Sequence, residues 1–137
     1  MGTRAKRFEY SVSVDADGRA YTEDGAPLAV PEEWTPEHLV LAALVRCTLK
    51  SLAYHTRRAG VSVSAGSTAT GVVTRREDDG RYGLVEARCI VDVSLDPLPD
   101  EAAIAELLEK AERDCFVGAS LRAAPRYEWR VNGRRAR

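Results

Sequence analysis

The segment WTPEHLVLAALVRC, residues 34–47, decides which fold this sequence is expected to adopt. Thr35 is a good N-cap residue, Pro36 suits the first helical position, and Glu37 favours the positive end of the helix dipole. Residues 39–45 are apolar on every side of such a helix, which is typical of a helix enclosed by protein. The segment therefore predicts a long, central and buried helix, and in so small a chain it indicates that a second copy covers it.

Strands are predicted on both sides of this helix. The helix is expected to end near Gly60, with two arginines in its last turn. Before it, residues 8–14 alternate between apolar and polar side chains, which predicts a half-buried strand at the start of a small antiparallel meander. After it, residues 61–75 and residues 81–95 predict two long strands joined by a turn. In the second of these strands, every other residue from Val85 to Leu95 is apolar, which predicts one apolar face.

A second helix and a last strand complete the predicted order. The helix lies within residues 98–115, with Asp100 as its cap and an apolar stripe along one side. Residues 126–131, RYEWRV, form the closing strand. The order of strands, helix, strands, helix and strand predicts an α+β fold with two main helices on an antiparallel sheet. At 137 residues the chain is expected to be a single domain over residues 1–137.

The charge balance argues against a strong electrostatic attraction to nucleic acid or to a membrane surface. The 20 Lys and Arg residues against 21 Asp and Glu residues leave a net charge of −1. No apolar run approaches the roughly 18 residues of a membrane span, and the N-terminal sequence MGTRAKRFEY lacks the apolar segment of a signal peptide. The sequence therefore predicts a cytoplasmic protein with no nucleic-acid or membrane partner.

The three cysteines, Cys47, Cys89 and Cys115, are the candidates for chemistry. No C-x-x-C motif occurs and the chain has two histidines, so neither a metal site nor a disulfide framework is predicted. Cys89 lies in the middle of a strand among valine and leucine residues, which predicts a buried and inert thiol.

Cys47 and Cys115 each allow a structural and a functional interpretation. Cys47 lies in the middle of the long helix, where neither the dipole nor a cap lowers its pKa, so it is either a core residue or a functional thiol. Cys115 follows the second helix and precedes small residues that allow a close approach of the backbone. It is either a corner-filling residue or a thiol that gains from the N-terminus of a second, short helical piece.

The segments TPEHLVLAALVRC and AERDCFVGASL, with two long strands between them, resemble the OsmC/Ohr proteins, which are thiol-dependent peroxidases. The resemblance covers most of the chain and implies an OsmC-like fold in an intertwined homodimer. It also implies a peroxidatic role for Cys47 and a resolving role for Cys115. Arg19, in the segment DGRA, would be the active-site arginine, and Glu37 the carboxylate that holds it.

The function implied by this resemblance is the reduction of organic hydroperoxides through a Cys47 sulfenate and a Cys47–Cys115 disulfide. No metal, haem or flavin is expected as a cofactor, and the resemblance implies a dithiol of the lipoyl type as the reductant. Two alternatives stay open: a non-enzymatic dimer that binds a hydrophobic small molecule, and a thiol redox sensor. Apolar residues around the thiol would select organic substrates, and the candidates are Trp34, Leu39, Leu44 and Phe116.

The spacing of Glu37 and Cys47 constrains where the carboxylate can act. Ten residues of helix separate the two by about 15 Å, so one arginine can hardly touch both if they lie on the same straight helix. Either the helix is broken or the carboxylate comes from the other subunit. The sequence also departs from the family pattern, because Phe116 takes the place of the usual proline and Arg46 that of a small residue. A glycine-rich lead-in to the first helix is missing too.

Overall fold

The computed structural model describes residues 4–137 and has the mixed α+β composition that the sequence predicts. Among these residues, no helix is both long and apolar enough to cross a membrane. The elements, in chain order, are β1 (Val12–Val14), β2 (Arg19–Thr22), β3 (Pro27–Ala29), α1 (Pro36–Arg58), β4 (Ser62–Arg75), β5 (Tyr82–Asp96), α2 (Glu101–Arg113), α3 (Phe116–Ser120), β6 (Arg126–Val131) and β7 (Arg134–Arg135).

The chain divides into two compact units, of which the first ends at Thr35. That unit is the antiparallel sheet β1-β2-β3, which confirms the predicted meander and adds the strand β3. The predicted half-burial of residues 8–14 is wrong within the single chain, since Val12 is 69% exposed and Val14 is 66% exposed. The described part of this unit, residues 4–35, contains no helix or second sheet to cover them. That the chain forms one domain stays a prediction.

The second unit, Pro36–Arg137, contains the predicted long helix. α1 runs unbroken from Pro36 to Arg58, and Gly60 adopts a positive φ just after it. The helix buries one face along its C-terminal two thirds, formed by Leu44, Thr48, Ser51, Leu52 and Thr56. Its N-terminal third is not enclosed by the chain itself, because Leu39 and Val40 are more than one third exposed. The long central helix is therefore confirmed and is enclosed only in part by its own chain, and that a second copy covers the rest stays a prediction.

The sheet of the second unit has the order β4-β5-β6-β7. β4 and β5 form a long antiparallel hairpin with a register shift between Val72 and Val73, and β7 returns antiparallel to β6. β6 instead pairs in parallel with β5, with Arg88 opposite Arg126. The expectation of a purely antiparallel sheet is wrong at this pair, since α2 and α3 form a crossover that brings β6 back in the direction of β5.

One face of this sheet forms the core with α1 and α2. The predicted apolar face of β5 is buried from Ala87 to Leu95, but Leu84 packs against the core where Val85 was expected, because the register shift lies beside it. The predicted cap of α2 is confirmed, since the Asp100 side chain accepts a hydrogen bond from the Ala103 N–H at 2.8 Å. The fully buried members of the core include Leu44, Leu52, Cys89, Val91, Leu108, Ala111, Cys115 and Trp129.

Candidate active site

The fold brings Cys47 and Cys115 together although 68 positions separate them in the sequence. Cys47 lies in the middle of α1 and is partly exposed, whereas Cys115 is fully buried at the turn between α2 and α3. Both are free thiols, and a hydrogen bond joins them. The arrangement has an outer thiol that solvent can reach and an inner thiol that it cannot.

The short helix α3 contacts both sulfur atoms through consecutive backbone amides. The Val117 N–H donates to Cys47 Sγ at 3.5 Å, and the Gly118 N–H donates to Cys115 Sγ at 3.4 Å. Cys115 is the N-cap residue of α3, so its sulfur takes the place of a capping oxygen. The predicted close approach at Gly118 is present, since a Cβ built there would lie 3.4 Å from Cys115 Sγ and 3.6 Å from a Leu44 methyl.

A buried hydroxyl network touches the inner thiol from the opposite side. Thr48 Oγ1 lies 3.5 Å from Cys115 Sγ and 3.0 Å from the Tyr127 hydroxyl, and it donates to the Leu44 carbonyl at 2.9 Å. Burial raises the pKa of Tyr127, which keeps its hydroxyl protonated. No local pattern in the sequence indicates that Thr48 and Tyr127 belong to the site, because they meet across 79 positions.

Opposing effects set the pKa of Cys47. Burial raises the pKa of this thiol, while the hydrogen bond from the Val117 N–H lowers it, and the hydrogen bond with the neighbouring Cys115 side chain raises it again. The Phe116 backbone adds a weaker bond that lowers the pKa. A proline at this position has no N–H to donate, so the departure from the family pattern supplies a further amide to the Cys47 sulfur.

Two sets of ion pairs hold the segment that carries Cys115. On one side, the Asp114 carboxylate lies 2.7 Å from Nε2 of His55 on α1, and hydrogen bonds from Arg113 and His55 lower the pKa of Asp114. On the other side, Arg122 pairs with Asp78 and Asp79 in the turn between β4 and β5. The segment 114–122, which contains Cys115 and α3, is therefore attached to α1 at its start and to the turn between β4 and β5 at its end.

Cys89 is buried, as predicted. It lies on the core face of β5 with no exposed surface, opposite Tyr127 in the sheet register, and burial raises its pKa to about 11. A thiol with that pKa is almost entirely protonated at neutral pH and is a poor nucleophile.

Arg19 and Glu37 belong to different units of the chain. Arg19 is the first residue of β2, where its N–H donates to the Asp15 side chain, and its side chain is exposed. Glu37 lies in the exposed first turn of α1. Because α1 is continuous between Glu37 and Cys47, the broken-helix alternative for this spacing is excluded within the described chain. The roles of Arg19 and Glu37 stay predictions.

The four residues predicted to form an apolar wall around Cys47 differ in their exposure to solvent. Leu44 is fully buried one turn before Thr48, whereas Trp34, Leu39 and Phe116 are exposed on the single chain.

Within residues 4–137, no group of three or more His, Cys, Asp or Glu side chains is arranged to hold a metal ion.

Comparison with known proteins places this fold in a family. The sequence model of the OsmC-like protein family matches residues 29–130. An OsmC-like protein of unknown function from Vibrio cholerae shares 15% identity and a TM-score of 0.72, over 90% of this chain and 99% of that one. The organic hydroperoxide resistance protein OhrB of Bacillus subtilis shares 17% identity and a TM-score of 0.61, over 91% and 98%.

A further similar structure is a putative organic hydroperoxide resistance protein from Vibrio cholerae with captopril bound in one of its active sites. It shares 20% identity and a TM-score of 0.63, over 98% of both chains. At such identities the similarity establishes the fold. No curated protein sequence matches this chain.

Replacing Cys115 by alanine should lower the pKa of Cys47, because the hydrogen bond with the neighbouring Cys115 side chain raises it. Alkylation of Cys47 by iodoacetamide should then reach half of its maximal rate at a lower pH than in the wild type. Mass spectrometry of each cysteine-containing peptide measures this rate. Cys89→Ala is the control and should leave the profile unchanged, whereas an unchanged profile in Cys115→Ala would show that the two thiols do not interact.

Replacing Cys89 by serine should destabilise the protein without changing the reactivity of Cys47. A hydroxyl on the apolar face of β5 lacks a hydrogen-bond partner there, which typically costs about 1–3 kcal/mol of unfolding free energy. Urea unfolding measures the loss, and Cys89→Ala separates the lost sulfur volume from the added polarity. A serine variant as stable as the wild type would contradict the assignment of Cys89 to the core.

Proposed function

Because the chain belongs to the OsmC-like protein family, we propose that it is a thiol-dependent peroxidase that reduces organic hydroperoxides. Cys47 is the peroxidatic residue and Cys115 the resolving residue. The observation that carries the proposal is the pairing of an outer and an inner free thiol at the start of α3, whose backbone amides donate to both sulfurs. Structures of similar fold are named organic hydroperoxide resistance proteins, which supports the substrate class.

The first step of the proposed reaction takes place at the outer thiol. The Cys47 thiolate attacks one oxygen of the hydroperoxide, the O–O bond breaks, and the organic oxygen leaves and is protonated to the alcohol. Cys47 keeps the other oxygen as sulfenic acid. The partial exposure of Cys47 allows the substrate to reach it, whereas the full burial of Cys115 prevents the inner thiol from reacting first.

The second step joins the two sulfurs. The Cys115 sulfur attacks the Cys47 sulfur, the S–O bond breaks, and the departing hydroxide and the proton of the Cys115 thiol form water. The hydrogen bond between the two thiols supports this step, since disulfide formation needs the cysteines close together. A dithiol of the lipoyl type then reduces the disulfide by exchange and becomes a disulfide itself.

A cation at Cys47 is needed for the first step. Burial and the Cys115 thiol raise the pKa of Cys47, and the amide N–H groups of α3 oppose this only in part. We assign this role to the Arg19 guanidinium, which would stabilise the thiolate, with the Glu37 carboxylate holding the arginine.

The homodimer is part of the proposal because Glu37 cannot serve the thiol of its own helix. α1 is continuous, so Glu37 lies about 15 Å along the axis from Cys47 at the usual rise per residue. The exposed apolar residues Leu39 and Val40 in the same part of α1 support its burial against a second copy. In such a dimer the carboxylate of one subunit acts on the site of the other.

Substitution of Cys47 by serine should reduce turnover of an organic hydroperoxide to the background rate, because the attacking sulfur is gone. Cys115→Ser should permit one oxidation of Cys47 and then stall, with progressive over-oxidation to sulfinic acid. Steady-state oxidation of a dithiol, with an organic hydroperoxide and separately with hydrogen peroxide, measures turnover, and mass spectrometry identifies the sulfur species.

Cys89→Ala is the matched control and should retain turnover, since Cys89 is buried in the sheet. The wild type should prefer the organic substrate. A wild type that neither turns over nor oxidises Cys47 would reject the peroxidase and favour the binding alternative.

Mixed dimers test the assignment of Glu37. Glu37→Gln and Cys47→Ser should each be inactive as homodimers, but a mixed dimer of the two should recover roughly half of the wild-type activity, because one complete site is rebuilt across the interface. Co-expression with two affinity tags isolates this species, and dithiol oxidation measures its activity.

The control for this experiment is a mixed dimer of wild type with Cys47→Ser, which also contains one complete site. If the Glu37→Gln mixed dimer stays at the activity of the Glu37→Gln homodimer, the carboxylate acts within its own subunit. If only monomers are isolated, the dimer is rejected as well.

A further inference from the structure

We infer that Thr48 is a positioning residue that orients the sulfur of Cys115 toward Cys47 for disulfide formation. The inference rests on the proposed function, in which Cys115 is the resolving thiol. It is carried by the hydroxyl network between α1, the α2–α3 turn and β6, in which Thr48 Oγ1 lies 3.5 Å from Cys115 Sγ in a fully buried contact.

The directions of the hydrogen bonds follow from counting protons. The Thr48 hydroxyl has one proton, and it donates this proton to the Leu44 carbonyl at 2.9 Å. Its oxygen therefore has two lone pairs left, and two protonated groups face them. The Tyr127 hydroxyl donates to one at 3.0 Å, and the Cys115 S–H donates to the other.

This arrangement fixes the rotation of the Cys115 thiol. With its proton on Thr48 and one lone pair accepting from the Gly118 N–H, the Cys115 sulfur has its remaining lone pair free to accept from the Cys47 thiol. That lone pair is the one that forms the new bond when Cys115 attacks the Cys47 sulfur. Without the acceptor on Thr48, the S–H is free to rotate toward Cys47 and to block the attack.

The test isolates this attack from peroxide chemistry. One equivalent of 5,5′-dithiobis(2-nitrobenzoate) is added to the reduced protein in a Cys89→Ala background. The accessible Cys47 displaces a first nitrothiobenzoate and forms a mixed disulfide. Cys115 then attacks the Cys47 sulfur, the bond to the aromatic sulfur breaks, a second nitrothiobenzoate leaves, and the Cys115 proton passes to solvent. The rate of this second release, followed by visible absorbance, is the rate of attack by Cys115.

Thr48→Val keeps the shape of the side chain and removes the hydroxyl. We expect the second release to slow by about fivefold to tenfold, the size of one hydrogen bond, with the first release unchanged. Thr48→Ser restores the hydroxyl and should restore the rate. If the valine variant does not fold, Thr48→Ala takes its place with the same expectation.

Thr56→Val is the matched control. Thr56 is also a buried threonine of α1 that donates to a helix carbonyl, at 3.1 Å, and it lies two turns from Thr48 along the same helix. Its loss should lower the thermal stability without slowing the second release. An equal rate in Thr48→Val and wild type would overturn the inference, and so would the absence of a second release in the wild type.

A second experiment, with peroxide as the oxidant, tests the positioning role of Thr48 separately from the proposed peroxidase activity. The reduced variants are mixed with one equivalent of an organic hydroperoxide, and Cys47 sulfenate and the disulfide are quantified over time. Thr48→Val should oxidise Cys47 at the wild-type rate but accumulate sulfenic and sulfinic acid. If peroxide does not oxidise Cys47 in the wild type while the second release still depends on Thr48, the peroxidase fails and the positioning role stands.

Discussion

The burial of Cys115 between α1 and the turn from α2 into α3 is the constraint on which the site depends. A fully buried sulfur needs polar partners, and the Gly118 N–H and the Thr48 hydroxyl supply them from opposite sides. Because Thr48 follows Cys47 directly, this contact also places the outer thiol at the edge of the same junction. One packing arrangement thus sets the different exposure of the two cysteines and, in the proposed reaction, their different roles.

The elements that the sequence predicted are those with local signals. The Thr-Pro-Glu opening of α1 and the Asp100 cap of α2 act within a few residues, and both helices begin where these signals lie. The alternation along β5 likewise predicted its buried face over most of its length, from Ala87 to Leu95. Such signals depend on neighbouring residues alone, so they can be read without knowledge of the rest of the chain. The positions of Cys47 and Cys115 beside these elements left both a structural and a functional interpretation open, and the resemblance to the OsmC/Ohr proteins selected them as the candidate site.

The features that could not be predicted from the sequence are contacts between segments that lie far apart in the chain. Alternation shows which side of a strand is apolar but not the direction of its neighbour, so the parallel pairing of β6 with β5 was missed. The contact of Thr48 with Tyr127 depends on that pairing, since it is β6 that carries Tyr127 to the helix. The register shift near Val72 is a third case, because it places Leu84 against the core instead of Val85. Each miss concerns which distant segments meet, which only the complete packing determines.

Two features of the single chain have a common explanation in the proposed dimer. The pKa of Cys47 is set mainly by burial, by amide N–H groups and by the Cys115 thiol. No cation is among these causes. The N-terminal part of α1 meanwhile leaves apolar residues exposed, with Glu37 beside them in the first turn. A second copy that covered this part of the helix would bury the apolar surface, and its Glu37 carboxylate would hold the Arg19 guanidinium, the proposed cation, at the thiol. Thiolate formation would then depend on assembly, so that an isolated chain holds Cys47 as a thiol and a dimer holds it ready to react.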